Sequence, residues 1–160
     1  MLRSARHNNA GRNQASAGMN RDEKLRRWAI ALSILGLVVS AYLIWVKFHP
    51  KDAFCAGVGD CEAVNTSIYS EFYGIPIAVF GTATYAAMLA LLLLEKWAAF
   101  LQEWAPVGVF CLSLAGTLYS AYLTYLELWV IHKICPYCVI SAITITILLV
   151  LSIFRVRRVL

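Results

Sequence analysis

The chain has 160 residues, of which 61% are hydrophobic and 14% charged, with a formal net charge of +5. A water-soluble domain carries roughly 45–50% apolar and about 25% charged residues, so this composition argues against a soluble globule and for one domain embedded in lipid. The positive balance is not a nucleic-acid signature either, because the cations flank apolar spans and no aromatic-interleaved basic patch accompanies them.

Residues 1–24 are rich in Arg, Asn, Ser, Ala and Gly and contain no apolar run, so they are expected to form a disordered tail. They lack the apolar core of a secretory signal. Four blocks then follow, Ala29 to Val46, Ile75 to Leu94, Val107 to Leu126 and Ile134 to Phe154, none containing Asp, Glu, Lys or Arg. Each is about 18–21 residues long, and roughly 20 residues of helix cross a hydrocarbon core of about 30 Å. None shows the polar face that a soluble bundle helix needs at a period of 3.6 residues. The predicted fold is therefore all-α, an integral membrane bundle of four transmembrane helices. Residues 25–155 form the membrane domain and residues 156–160 a short basic tail.

Four spans place both termini on one side. That side carries Arg3, Arg6, Arg12, Arg21, Lys24, Arg26, Arg27, Lys96, Arg155, Arg157 and Arg158, against Lys47, Lys51 and Lys133 on the other. The asymmetry predicts cytoplasmic termini and two outward loops, Lys47 to Gly74 and Glu127 to Lys133. Trp97, Phe100 and Trp104 in the inward connection suit an interfacial belt. Gly36, Gly81 and the Gly116/Ser120 pair offer small residues for close approach of helices.

Four of the five cysteines fall at the outward face, where disulfides persist. Cys135-Pro136-Tyr137-Cys138 opens the fourth helix. Unpaired N–H groups and the positive end of the helix dipole stabilise a thiolate there, and Pro136 fits the first turn, where its missing N–H costs nothing. Alone, a CxxC is equally compatible with half a zinc site or a static staple. Cys55 and Cys61 bracket Ala-Gly-Val-Gly-Asp, a segment flexible enough to open and close. Two dithiols on one membrane face, one mobile and one at a helix end, meet the needs of an electron relay by thiol–disulfide exchange. The same four sulfurs could instead converge on a metal, so a membrane metal-binding or transport protein is the alternative. The absence of charge within the spans weighs against an ion pathway. Cys111 lies some 15 residues, or roughly 22 Å of helix, from the outer surface. It cannot join the other cysteines and reads as a packing residue.

In order, Cys55-x5-Cys61, Cys61-Glu-Ala-Val64 leading to Ser67, Tyr73-Gly74-Ile75-Pro76 with Phe80-Gly81, and Tyr122-Leu-Thr-Tyr125-Leu-Glu127-Leu running into Cys135-Pro136-Tyr137-Cys138 resemble the bacterial vitamin K epoxide reductase family over about Leu25 to Arg155. The resemblance implies a membrane thiol:quinone oxidoreductase of the bacterial inner membrane. A secreted thioredoxin-like disulfide-forming partner would exchange with Cys55, Cys61 would pass the electrons to Cys135, and Cys138 would react with the quinone, a menaquinone or a ubiquinone. It also implies a short half-helix in the first outward loop, with the Ser67 hydroxyl near the quinone. Phe80 and Tyr85 are candidate quinone contacts by their place on the second span, although helix packing is the more common explanation for such aromatics. Many bacterial members carry a fused thioredoxin-like domain after the fourth helix. Here the chain ends six residues past Phe154, which implies a separate partner protein. Ala142 stands where the animal enzymes have a tyrosine, and Ile77 approximately where they have an asparagine, so quinone-linked oxidation is favoured over epoxide reduction. The other four-helix family of this chemistry, disulfide bond formation protein B, has the two pairs in the reverse order.

Overall fold

The computed structural model describes the backbone of residues 2–49, 70–72, 74–97 and 99–159. Side chains are described from residue 21 onward within those ranges, apart from those at 72, 99, 101, 131, 158 and 159. The elements in order are helix α1 (Leu2–Phe48), strands β1 (Glu71–Phe72) and β2 (Ile75–Pro76), and helices α2 (Ile77–Leu94), α3 (Ala99–Leu126) and α4 (Pro136–Val159). A π-helical turn, Glu127–Ile131, continues α3. The half-helix expected in the first outward loop falls within residues 50–69, outside the described residues.

Four segments are long and apolar enough to cross a membrane: Arg21–Phe48, Ile77–Leu94, Gln102–Val130 and Pro136–Arg157. Each contains most or all of one predicted block, and together they make the four-helix membrane bundle. Most of their apolar surface points outward. The share buried inside the protein is 39% for α1 but 11% for α3, a distribution that only a lipid exterior satisfies. Several threonine hydroxyls within the spans are satisfied internally, because lipid offers no partner. Thr82, Thr117, Thr124 and Thr144 each donate to the carbonyl four residues back, at 2.7–2.9 Å.

Helix α1 extends back through the segment whose composition reads as a tail. Elongating a nucleated helix adds one hydrogen bond per residue fixed. Its first described polar contacts with the rest of the protein come from Asp22 and Glu23. Arg155, 3% exposed, donates from Nη2 to Glu95 Oε1 at 2.6 Å and from Nε to Asp22 Oδ1 at 3.3 Å. Arg26 donates to the carbonyl of Leu92 at 2.7 Å, one of the acceptors that the end of α2 leaves open. These contacts tie α1, α2 and α4 together at the end that holds the start of the α1 span and the end of α4. At the opposite end Lys47 bridges Glu71 at 3.0 Å and Ser70 at 3.0 Å, fixing the β1–β2 hairpin over the end of α1. Gly74 turns that hairpin at φ +80°, a conformation glycine adopts without strain.

Between the two ends lies the main core, with Ala29, Tyr85, Met88, Leu92, Val109, Ile145 and Leu148 buried. A smaller cluster at the hairpin end joins Leu43 to Cys135. Gly36 lets α1 and α2 close up, since any Cβ there would collide with the Tyr85 ring. Gly36→Ala should therefore displace Tyr85 and destabilise the protein by about 1–3 kcal/mol, as overpacking does. Gly81→Ala meets only the Ser40 Cβ at 3.7 Å and should be tolerated. Thermal unfolding of both variants in detergent checks the contrast.

Candidate active site

The start of α4 is built around a sulfur. The carbonyl of Cys135 accepts from the N–H of Val139 at 3.1 Å, the first bond of the helix, so Cys135 is the residue that caps it. Its side chain accepts hydrogen bonds from the N–H groups of Tyr137 and Cys138, donors that a helix N-terminus otherwise leaves unpaired. Cys135 is fully buried and packs against Leu43 of α1. Both Cys135 and Cys138 are free thiols here.

The Cys138 side chain donates a hydrogen bond to the Cys135 sulfur, and this holds the Cys135 thiol below its ordinary range. Burial acts against it, the two backbone N–H donors act with it, and the Glu127 charge acts against it. Cys135 is therefore the readily ionised member of the pair, as expected of a thiol at a helix N-terminus.

Cys138, one turn further into α4, opens onto the bundle's cavity. That cavity has a volume of about 500 Å³ and is lined mainly by apolar groups, within the range of small-molecule sites. Along α3 its wall runs from Leu112 to Glu127, roughly 22 Å at 1.5 Å per residue. A chamber of that length with mainly apolar walls fits a quinone, whose ring is polar at its two oxygens and whose tail is hydrocarbon. The residues present are thus compatible with that cofactor.

Of the aromatics singled out from sequence, Phe80 and Tyr85 both line the cavity. Tyr85 is also a packing residue: it is 2% exposed and its hydroxyl donates to the Ser141 carbonyl at 3.0 Å. Phe80 is 44% exposed. Cys55, Cys61 and Ser67 lie outside the described residues, so the four-sulfur metal alternative does too. Cys111 is exposed on α3 and stands apart from the cysteine pair. Among the described residues, no three His, Cys, Asp or Glu side chains converge on a common point.

Glu127 was placed by the sequence at the start of an outward loop. Here it is 5% exposed and faces the cavity. The π-helical turn that it opens keeps the chain helical through Ile131 and ends at His132, in the left-handed region at φ 53°. Glu127 Oε2 accepts from the Cys135 N–H at 3.3 Å, and its carboxyl is hydrogen-bonded with the Cys138 side chain. A signal for it existed. The carboxylate sits between Leu126 and Leu128 with Leu123 and Ile131 four residues either side, so it has no helical ion-pair partner.

A family model for the vitamin K epoxide reductase family matches residues 27–153. The chain belongs to the vitamin K epoxide reductase family. That match takes in most of all four spans and both cysteine pairs, and it makes the protein a multi-pass membrane oxidoreductase of a family that is in general quinone-linked. In vitamin K epoxide reductase terms, the Cys135–Cys138 pair sits where a helix N-terminus, a carboxylate and an apolar cavity meet.

The ionisation of Cys135 is open to direct measurement. In the reduced protein, alkylation of Cys135 followed peptide by peptide should rise with pH through a midpoint below that of an unperturbed thiol. Cys138→Ala removes the largest contribution and should move that midpoint upward. An unchanged midpoint would mean that the Cys138 hydrogen bond does not set it.

Proposed function

We propose that this protein is a thiol:quinone oxidoreductase that reoxidises a separate, secreted thioredoxin-like disulfide-forming partner. Electrons enter at Cys55, pass through Cys61 to Cys135, and leave from Cys138 to a menaquinone or ubiquinone. The observation that carries this reading is the position of Cys138, which lines the long apolar cavity, with Cys135 one helical turn away as the cap of α4. The basic residues at the Arg155 end support cytoplasmic termini in a bacterial inner membrane, with the cysteine pairs on the extracytoplasmic side.

Each residue's part follows from its surroundings. The Cys61 thiolate of the reduced loop pair attacks the Cys135 sulfur of the Cys135–Cys138 disulfide and releases Cys138. Cys135, held as the more acidic thiol, is then the better leaving group when Cys55 attacks Cys61 and closes the loop disulfide. The Cys135–Cys138 disulfide forms as both thiols give up their electrons, and the helix N-terminus keeps the two sulfurs within one turn of each other. When bound, the quinone supplies a two-electron acceptor soluble in the bilayer. The cavity walls would hold the acceptor beside Cys138. Ala142 and Ile77, in place of the tyrosine and asparagine of the animal enzymes, support quinone-linked oxidation over epoxide reduction.

The test is anaerobic mixing of the pre-reduced, purified protein with a soluble quinone, following quinone absorbance and free thiols together. The expected result is one quinone reduced per two thiols lost, with the reaction abolished by Cys138→Ala and by Cys135→Ala while both variants remain folded. Turnover retained by either variant would sink the assignment. Cys55→Ala should spare oxidation of small dithiols and block that of a thioredoxin-like protein substrate.

A further inference from the structure

Oxidising a dithiol with a quinone moves protons as well as electrons, and the apolar cavity leaves few groups to carry them. Among the described residues that line it, Glu127 is the one that bears a carboxylate. The Tyr85 hydroxyl is committed to the Ser141 carbonyl at 3.0 Å, and the Thr84 and Thr124 hydroxyls to carbonyls of their own helices. Glu127 touches the Cys138 side chain and forms part of the cavity wall at once. It is held there from two sides. The Cys135 N–H anchors Oε2 at 3.3 Å, and the Lys133 N–H closes the π-helical turn onto the Glu127 carbonyl at 3.2 Å. A carboxylate offers about four lone-pair sites, so the Cys135 anchor leaves capacity for a proton. π-Helical turns of this kind recur at functional sites because they re-aim one side chain within an otherwise regular helix.

We propose that Glu127 is a catalytic proton carrier, taking the thiol proton of Cys138 and releasing it towards the quinone oxygen in the same cavity. This rests on the thiol:quinone reading above. In the overall step two S–H bonds break, one S–S bond forms between Cys135 and Cys138, and two electrons and two protons convert quinone to quinol. One proton travels from Cys138 through Glu127, which ends the turnover in the state in which it began. The other, from Cys135, is exchanged through water. General acid–base groups of this type contribute about 100- to 10,000-fold in rate.

Glu127→Gln keeps an acceptor for the Cys135 N–H while removing the ability to carry a proton. In single-turnover reduction of a soluble quinone, it should be slower than wild type by about 100-fold or more. Its affinity for a redox-inert quinone analogue, measured by equilibrium binding, should stay within about twofold of wild type, and Glu127→Asp should recover much of the rate. A second reading needs no quinone. The infrared difference spectrum between the dithiol and disulfide forms should contain a carboxyl C=O band that is missing in Glu127→Gln. Wild-type turnover in Glu127→Gln would overturn the proposal. So would loss of analogue binding in both Gln and Asp variants, which would make the role structural. If Glu127→Gln fails to fold, Asp against Asn at the same position repeats the carboxylate–amide comparison. If the wild-type protein reduces no quinone, the thiol:quinone reading falls. The infrared band still decides whether Glu127 exchanges a proton as the thiols are oxidised, and a spectrum without it would refute the carrier.

Discussion

Helix α4 begins inside the bundle, and its unpaired N–H groups are met by the sulfur of Cys135. That single contact organises the chemistry around it. Capping by sulfur fixes Cys135 on the helix axis, places Cys138 three residues later on the cavity wall, and makes one thiol of the pair readier to ionise than the other. A CxxC elsewhere in the chain would keep the spacing and lose the asymmetry, because the field of a helix terminus falls off within the first turn.

The bilayer imposes the second constraint. With lipid outside, apolar surface is cheap on the exterior and polar groups must find partners within the protein. The threonine hydroxyls of the spans do so by donating to their own helices. The charges do so at the two ends, where Arg155 meets Glu95 and Asp22 and Lys47 meets Glu71. A buried ion pair is a poor source of net stability, yet an expensive one to break by removing a single partner. The Arg155 cluster therefore sets which helices meet at that end more than it tightens them.

Beside the packed core, the four helices leave a cavity of about 500 Å³ between them. Small residues on α2 and α3, with Gly116 close against Ile145, keep the walls thin where the cavity runs. The result is an apolar compartment reached by one sulfur and one carboxylate, the combination that a membrane protein exchanging electrons with a lipid-soluble acceptor requires. In this member of the vitamin K epoxide reductase family, the Glu127 carboxylate participates in both the helix cap and the cavity wall.

Spans, their number and the location of the CxxC were all legible in the sequence. Hydropathy over about 20 residues and the preference of Pro136 for a first helical turn are local properties that survive any packing. The domain edges of α1 and α3 were less so, since helix can propagate past an apolar block once nucleated. The packing roles of Gly36 and Tyr85 were half visible: a small residue and an aromatic are recognisable, but not that the ring of one rests on the other. Glu127 was the clear surprise. By composition a carboxylate near the membrane surface belongs in a loop, and only the π-helical turn and the amide of Cys135, eight residues away, turn it inward. Local sequence thus determined what crosses the membrane and where sulfur meets a helix end. The tertiary structure alone decided which buried groups face the cavity, because that depends on contacts between helices that no single stretch of sequence contains.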